Sequence, residues 1–266
     1  MTPYMNRASR MKPELLSAHE ITSALEGGYW RVSVIDETES TQNLLRTSNP
    51  KPGDLITTEY QSQGRGRLGR SFAAQKSTAL LFSFYLAPKC ERNNWGFLPL
   101  LVGMSVANSL IKITGDSNFK CKWPNDILFN EKKIAGLLVE TFDDGVIVGV
   151  GINVSTTQEQ LPVAHASSIF LETGKQLNRN ILLAEILAGL TPLLVEWETG
   201  SNLSGLIAAY SRLSATLGQH VQIELPGGKQ LGGIATRIDS SGALVLDSGE
   251  LVTVGDVVHL TSKLDQ

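Results

Sequence analysis

Between residues 119 and 154 the chain reads "FKCKWPNDILFNEKKIAGLLVETFDDGVIVGVGINV", and this run limits the fold more than any other. "FKCKWP" leads to "DILFN-EK-KIAGLLVETF", and "DDG" turns the chain into "VIVGVGINV". All three pieces are strand-like, and the connections are tight turns. Strands joined so closely fold back on one another, because a parallel crossover needs about a dozen residues or more. The expected core is therefore α+β, with a mixed, largely antiparallel sheet packed by helices, not a doubly wound parallel sheet.

The flanking segments supply the helices and further strands. In "PELLSAHEITSALEGG", Leu15, Ile21 and Leu25 recur at near-helical spacing, Pro13 suits a first helical position, and Gly27-Gly28 offers a stop. "WRVSVID" and "DLITTEY" read as strands around a short helix that carries Leu44 and Leu45 and is capped by Thr38 or Ser40. "TALLFSFYLAP" reads as a buried strand closed by Pro88. "WGFLPLLVGMSVANSLIKITG" predicts a long buried helix ending near Gly115. "NRNILLAEILAGLTPLLVEWE" predicts another, with Asn178 as cap and Leu182, Ile186 and Leu193 facing inward. From about Ala215, short alternating segments divided by "PGG", "SSG" and "DSG" predict a separate all-β barrel of roughly 50 residues. The expected division is a tail and short helix over 1–28, a core over 29–214 and the barrel over 215–266.

A chain of 266 residues that is 42% hydrophobic can bury a sizeable core. Its formal net charge of -3 argues against non-specific binding to nucleic acid or anionic membrane by the chain as a whole. No apolar run in the sequence reaches the roughly 18 residues expected of a membrane helix, and the basic start "MTPYMNRASRMK" has no signal-peptide core behind it. Cys90 and Cys121 stand alone, as buried or free thiols of a reducing compartment do, so a cytoplasmic protein is expected.

Against that acidic background "EYQSQGRGRLGRSF" (59–72) concentrates Arg65, Arg67 and Arg70 among Gly64, Gly66 and Gly69. Glycines let backbone N–H groups approach an anion, and arginines add forked, permanently charged donors, a combination suited to a phosphate or a mixed anhydride. No "GK[ST]" follows, so this is not a P-loop. A solvated loop and a nucleic-acid clamp are the alternatives, and the clamp lacks a stacking platform. In the meander, Lys122, Asn125, Asp126 and Lys133 crowd a hairpin of core residues. Lys133, just ahead of "IAG", either snorkels to solvent or meets an anion. Asn153 is a turn former or a partner for a base or amide. "STQN" at 40–43 caps a helix or binds a ligand. The four histidines show no metal-ligand spacing, and no "GxSxG" is present, so neither a metal site nor a serine nucleophile is expected.

Taken in order, "ESTQNLL", "EYQSQGRGRLGRSF", "KWPNDILFNEKKIAG", "GVGINV" and a small β-barrel closely resemble the biotin protein ligases from about residue 30 onward. The resemblance implies a class II synthetase-like biotin/lipoate ligase core with an SH3-like C-terminal domain. It also implies activation of biotin with MgATP to biotinyl-5′-AMP, then transfer to a lysine of a biotin carboxyl carrier domain of acetyl-CoA carboxylase or a related carboxylase. Magnesium would arrive with ATP and not in an all-protein cage.

Residue by residue, the resemblance assigns catalysis to Lys133, Arg65 and Arg67, with Asp126 orienting the attacking lysine or contacting metal. Ser40, Thr41, Gln42, Gln61, Gly64, Arg65, Lys133 and Gly136 match biotin-site positions. Trp123 does too, as a hydrophobic member of the site, although a strand tryptophan equally suits the core. Arg67, Arg70, Phe72, Asn125 and Asn153 fall on the nucleotide side, Asn153 matching an asparagine that reads adenine. The Arg/Gly loop is expected to be flexible and to order over the intermediate. Two departures stand out: Phe72 replaces a tryptophan that often closes over the adenine, and Lys263 lies near where many relatives carry an arginine. Bifunctional relatives place a winged helix-turn-helix ahead of the core, whereas the stretch ahead of the first core strand here holds one short helix, so no DNA binding and no repressor role are expected. The acidic balance and lack of a long apolar run likewise predict no membrane partner. A lipoate ligase or octanoyltransferase shares the fold and the lysine, but the full "GRGRLGR" loop, "KWPND" and the barrel favour biotin. A nucleic-acid-binding module with an SH3-like barrel is the rival from another class, and predicts steep salt dependence.

Overall fold

Ser17 opens the first helix, its hydroxyl accepting the Glu20 N–H at the start of α1 (Ala18–Ser23). The computed structural model describes residues 14–163 and 165–260, and Pro13 lies outside them; residues 14–17 are not helical, so the helix starts at Ala18 and not at Pro13, and Leu15 lies exposed ahead of it. The helix also ends before Gly27 and Gly28, which turn the chain with φ of 84° and 62°. The order then runs β1 (Arg31–Thr38), α2 (Thr41–Thr47), β2 (Asp54–Gln61), β3 (Ala79–Leu86), α3 (Leu98–Thr114), β4 (Phe119–Lys122), β5 (Asp126–Phe129), β6 (Lys132–Phe142) and β7 (Gly145–Asn153). Three helices follow, α4 (Ile169–Thr173), α5 (Arg179–Thr199) and α6 (Leu203–Leu213). The chain then enters β8 (His220–Glu224), β9 (Gln230–Ile238), β10 (Leu244–Leu246), β11 (Leu251–Val252) and β12 (Asp256–His259).

The first seven strands form one sheet in the order β1-β2-β3-β7-β6-β5-β4. The meander β4-β5-β6-β7 is antiparallel throughout, and the pairs β2–β3 and β3–β7 are too. The exception is β1–β2, which are parallel and joined through α2. Period-2 alternation then sorts the side chains. Leu80, Phe82 and Phe84 of β3 lie opposite Ile152, Val150 and Val148 of β7, all buried in the main core with residues of α3 and α5. The other face carries Leu81 opposite Gly151 and Ser83 opposite Gly149. Helix α2 packs across this second face on a small cluster of Leu45, Ile56, Tyr85 and Ile147.

Gly115 ends α3 in the left-handed conformation, φ 72°, and the Asn178 side chain caps α5 by accepting from the N–H groups of Asn180 and Ile181. Leu193 is only half-buried; Leu194 takes the inward place, because Leu190, Leu194 and Trp197 share one 3.6-residue stripe. Helices α4 and α6 were not expected, although Leu206, Tyr210 and Leu213 of α6 show the buried i, i+4, i+7 pattern. One expectation needs correcting. The helical segments Arg92–Thr114 and Arg179–Thr199 are long and apolar enough to cross a membrane by length and composition. Here they pack on each other and on the sheet, the fate of central helices in a two-layer core.

The last five strands form a second sheet, β11-β10-β9-β8-β12, in which every pair is antiparallel. Its junction with the first sheet is polar and close. Trp123 donates from its backbone N–H to Thr216 Oγ1 at 3.0 Å and from its indole N–H to Gly242 O at 3.0 Å. Gly242 sits at φ 89°, with a built Cβ only 2.5 Å from Gly96 O, so no larger residue fits there. Lys263 lies outside the described residues.

His259 completes this junction, Nε2 lying 3.2 Å from Thr216 Oγ1. Burial pushes its pKa down, and the charge of Lys122 pushes the same way. The unfolded chain therefore takes up a proton before the folded one does. The stability this group contributes is complete above the ordinary histidine value of about 6.5 and is lost as pH falls below it. Melting temperature should fall between pH 7 and pH 5, and His259→Gln should flatten that slope. An unchanged slope in the variant would remove His259 from the account.

Candidate active site

A cavity of about 720 Å³ opens on the sheet face opposite α3 and α5. Glycines at 149 and 151 leave room on its floor, and other residues have moved into that room. A Cβ on Gly149 would lie 2.8 Å from Gln42 Cδ, and one on Gly151 would lie 2.7 Å from the Phe72 ring. Gln42, buried on α2, donates to Leu138 O at 3.1 Å. Phe72 thus rests on the β7 backbone at the inner side of the Arg/Gly loop.

At one end the start of α2 faces the end of β2. Gln61 Oε1 accepts from the Thr41 N–H at 2.7 Å and the Thr41 hydroxyl at 2.8 Å, and that hydroxyl lies 2.7 Å from Ser83 Oγ. These bonds fix the amide orientation, which leaves the Gln61 NH2 as a donor. Ser40 holds the N-cap position of α2 and is buried, yet its hydroxyl makes no capping bond. The capping alternative for Ser40 is therefore not what the structure shows.

At the other end a β-bulge places the lysine. From Leu128 to Ile127 in β5, the partner in β6 jumps from Lys133 to Ala135. Ile134 is the extra residue and turns fully into the core, so Lys133 and Gly136 share a face instead of opposing one another. A Cβ on Gly136 would lie 3.1 Å from Lys133 Cε, so glycine makes space for the lysine stem. The ammonium lies 2.6 Å from Asp126 Oδ1 in an ion pair that departs from hydrogen-bond geometry, leaving Oδ1 without a hydrogen bond among the described residues. Backbone bonds on both sides, Lys133 N–H to His165 O and Ser167 N–H to Lys133 O, each 2.8 Å, lock the position. Asn153 donates to Ser167 O at 2.9 Å, which joins the end of β7 to the same segment.

The arginines are not loose. Arg65 is forked onto Glu140 at 2.8 and 2.9 Å. Arg67 donates to Asn125 Oδ1 at 2.9 Å and to Gly255 O at 3.2 Å, and lies 3.6 Å from Asp256. Arg70 is also paired with Asp256, at the start of β12. Burial pulls the Arg67 guanidinium below its usual pKa, with Asp256 and Asp126 acting the other way. A free cationic face, as a nucleic-acid clamp requires, is not what these contacts build.

Of the expected site positions, Ser40, Thr41, Gln42, Gln61, Arg65, Arg67 and Arg70 line this cavity. So do Phe72, Asn125, Asp126, Lys133, Gly136 and Asn153. Two do not. Trp123 is buried at the inter-sheet junction, with its indole N–H spent on Gly242, which is the core alternative. Gly64 serves the loop itself: a Cβ there would lie 2.1 Å from Phe72 O, and its carbonyl accepts the Phe72 N–H. Ser83, Gly149, Gly151, His165 and Asp256 line the cavity without having been singled out. The two alternating glycines of "GVGIN" (149–153) could have flagged a floor. Asp256 carried no local signal.

A family model described as biotin/lipoate A/B protein ligase family matches residues 32–156, and one described as biotin protein ligase C terminal domain matches 216–260. A biotin–[acetyl-CoA-carboxylase] ligase of Mycobacterium tuberculosis is 31% identical over 96% of this chain and 100% of its own. The bifunctional ligase/repressor of Escherichia coli is 31% identical over 90% of this chain and 75% of its own. The biotin protein ligase of Aquifex aeolicus, solved in complex with biotin and ATP, superposes with a TM-score of 0.76 at 30% identity, covering 86% of this chain and 97% of that one. With a full-length relative at that identity, and both sheets matched, the chain belongs to the biotin protein ligase family.

Proposed function

We propose that this chain activates biotin with MgATP to biotinyl-5′-AMP and transfers the biotinyl group to a lysine of a biotin carboxyl carrier domain. One observation carries the reading: a single cavity gathers Lys133, Arg65 and Arg67 around a glycine floor next to a set of neutral hydrogen-bonding side chains. The neutral end suits a ureido ring and the cationic end suits a carboxylate and a phosphate. The Gln61 NH2 and the Ser40 hydroxyl are the donors available to biotin, with Thr41 and Ser83 holding Gln61 in place. Arg65 and Arg67 offset the charge of two anions that must meet, and Lys133 stabilises charge that develops on carboxylate and α-phosphate. Asp126 holds the Lys133 ammonium, which supports a positioning role for this carboxylate. Asn153 Oδ1 takes no hydrogen bond among the described residues, which leaves it for an adenine amino group. Mg²⁺ is assigned to the ATP substrate, because it keeps its waters and binds through phosphates with at most one or two carboxylates.

Attack by the carrier lysine on the mixed anhydride forms the amide and releases AMP, the anhydride C–O bond breaking as the C–N bond forms. The attacking amine must be neutral, and a cavity rich in cations favours that form. Incubation with ATP and a carrier domain should attach biotin and leave lipoate unattached. Calorimetry should show biotin binding without a matching lipoate signal. Tight lipoate binding with no biotin heat would overturn the assignment in favour of a lipoate ligase.

A further inference from the structure

Glu140 has no place in the chemistry described above, yet it sits where three elements of the site converge. It lies on β6, on the same face as Leu138 and four residues beyond Gly136, and its carboxylate is about a quarter exposed. Arg65 Nη2 donates to Glu140 Oε1 at 2.8 Å and Nη1 donates to Oε2 at 2.9 Å, a bidentate pair that sets the plane of the guanidinium. Asn43 Oδ1 accepts from Arg65 Nη1 at 3.3 Å, and Arg46 Nη2 donates to Glu140 Oε2 at 3.1 Å. Both residues come from α2, the helix that also supplies Thr41 and Gln42. Arg46 is held in turn with its guanidinium 5.1 Å from the centre of the Phe142 ring.

We propose that Glu140 is a positioning residue for Arg65: it grips one edge of the guanidinium so that the opposite edge is presented to the ligand anion. An arginine has five N–H donors. Glu140 and Asn43 use both hydrogens of Nη1 and one of Nη2. The Nε–H and the second Nη2 hydrogen make no hydrogen bond among the described residues, and together they form another parallel fork. Such a fork matches a carboxylate or a phosphate oxygen pair. Charge also favours the arrangement. Two arginines share one carboxylate, so the cluster keeps one net positive charge although Arg65 is already paired. Because Glu140 and Lys133 ride on the same strand, the guanidinium is registered against the ammonium across β6.

This inference rests on the biotin reading, and its test separates the two. Glu140→Gln removes a negative charge beside the site, so electrostatics alone would tighten anion binding. Positioning makes the opposite claim: biotin Kd should rise roughly tenfold, the loss typical of a charge-assisted pair, and biotinyl-AMP should dissociate correspondingly faster. In an Arg65→Ala background, Glu140→Gln should cause no further loss, since nothing remains to be positioned. Calorimetric titration with biotin on the full chain reads all four members of the cycle. Unchanged or tighter binding in Glu140→Gln, or an equal loss in both backgrounds, overturns the proposal while leaving the biotin reading intact. Absence of biotin binding by the unsubstituted chain overturns both.

Discussion

Lys133→Ala should lower biotinyl-AMP formation by about 10²–10³-fold, the scale on which a single oxyanion-stabilising donor acts. The same substitution should move the melting temperature by only a few degrees. The backbone at 133 is held by its own hydrogen bonds to the 165–167 segment and does not depend on the side chain. The lysine side chain is about one-third exposed, and its pair with Asp126 is of the partly solvated kind that contributes about 0–1 kcal/mol. A large loss of rate with little loss of stability is therefore the signature of a group whose positive charge is used in the transition state. ATP–pyrophosphate exchange measures the activation step without the carrier. Wild-type exchange in Lys133→Ala would remove the lysine from the mechanism. Gly136→Ala should act in the same direction but more weakly, since its Cβ would press on the Lys133 stem instead of deleting the charge.

The bulge that makes this possible also marks what a sequence can and cannot disclose. The antiparallel meander was legible because its turns are short, and short turns leave one pairing open. The Arg/Gly loop, "STQN" and "KWPND" were legible because each is a local cluster of unusual residues that the fold then aims at one cavity. Nothing in "EKKIAG" says that Ile134 is an extra residue, and simple alternation would put Lys133 and Gly136 on opposite faces. Trp123 stayed open between core and site for a related reason: Asn125 and Asp126, just after it, line the cavity, but its indole N–H goes to Gly242, 119 residues away. Asp256 is the same case in reverse. An ordinary aspartate near the end of the chain becomes the partner of both Arg67 and Arg70 only when the second sheet docks. Periodicity reports which face of an element is buried, and pairs separated by this much chain leave no trace in it.

The largest loss of stability should come from Arg179→Met, a residue that touches no part of the cavity. Arg179 Nη2 lies 2.7 Å from Glu59 Oε2, with both side chains almost wholly buried at 3% and 4% exposure. Glu59 also accepts the Leu16 N–H at 2.6 Å on Oε1 and the Ser77 hydroxyl at 2.8 Å on Oε2, while Arg179 donates to Glu14 O at 2.8 Å and Ala79 O at 3.3 Å. Removing the cation leaves a carboxylate buried without its counter-charge, at a cost of about 3–5 kcal/mol, a large fraction of the 5–15 kcal/mol that holds a typical domain together. Adding Glu59→Gln should recover part of that loss, because the uncompensated charge is then gone and the remaining hydrogen bonds to Leu16 and Ser77 can persist. The effect reaches the site through geometry. Glu59 opens the segment that contains Gln61 and the Arg/Gly loop, and Ser77, at the far end of that segment, donates its backbone N–H to Glu59 O at 2.9 Å. Both ends of the loop are thus tied to one residue, whose side chain Arg179 holds. Urea unfolding of the single and double variants measures the coupling, and limited proteolysis between residues 62 and 76 reports whether the loop loosens with it. A single-variant loss below about 1 kcal/mol would place the pair among ordinary exposed ion pairs and remove it as the anchor of the loop.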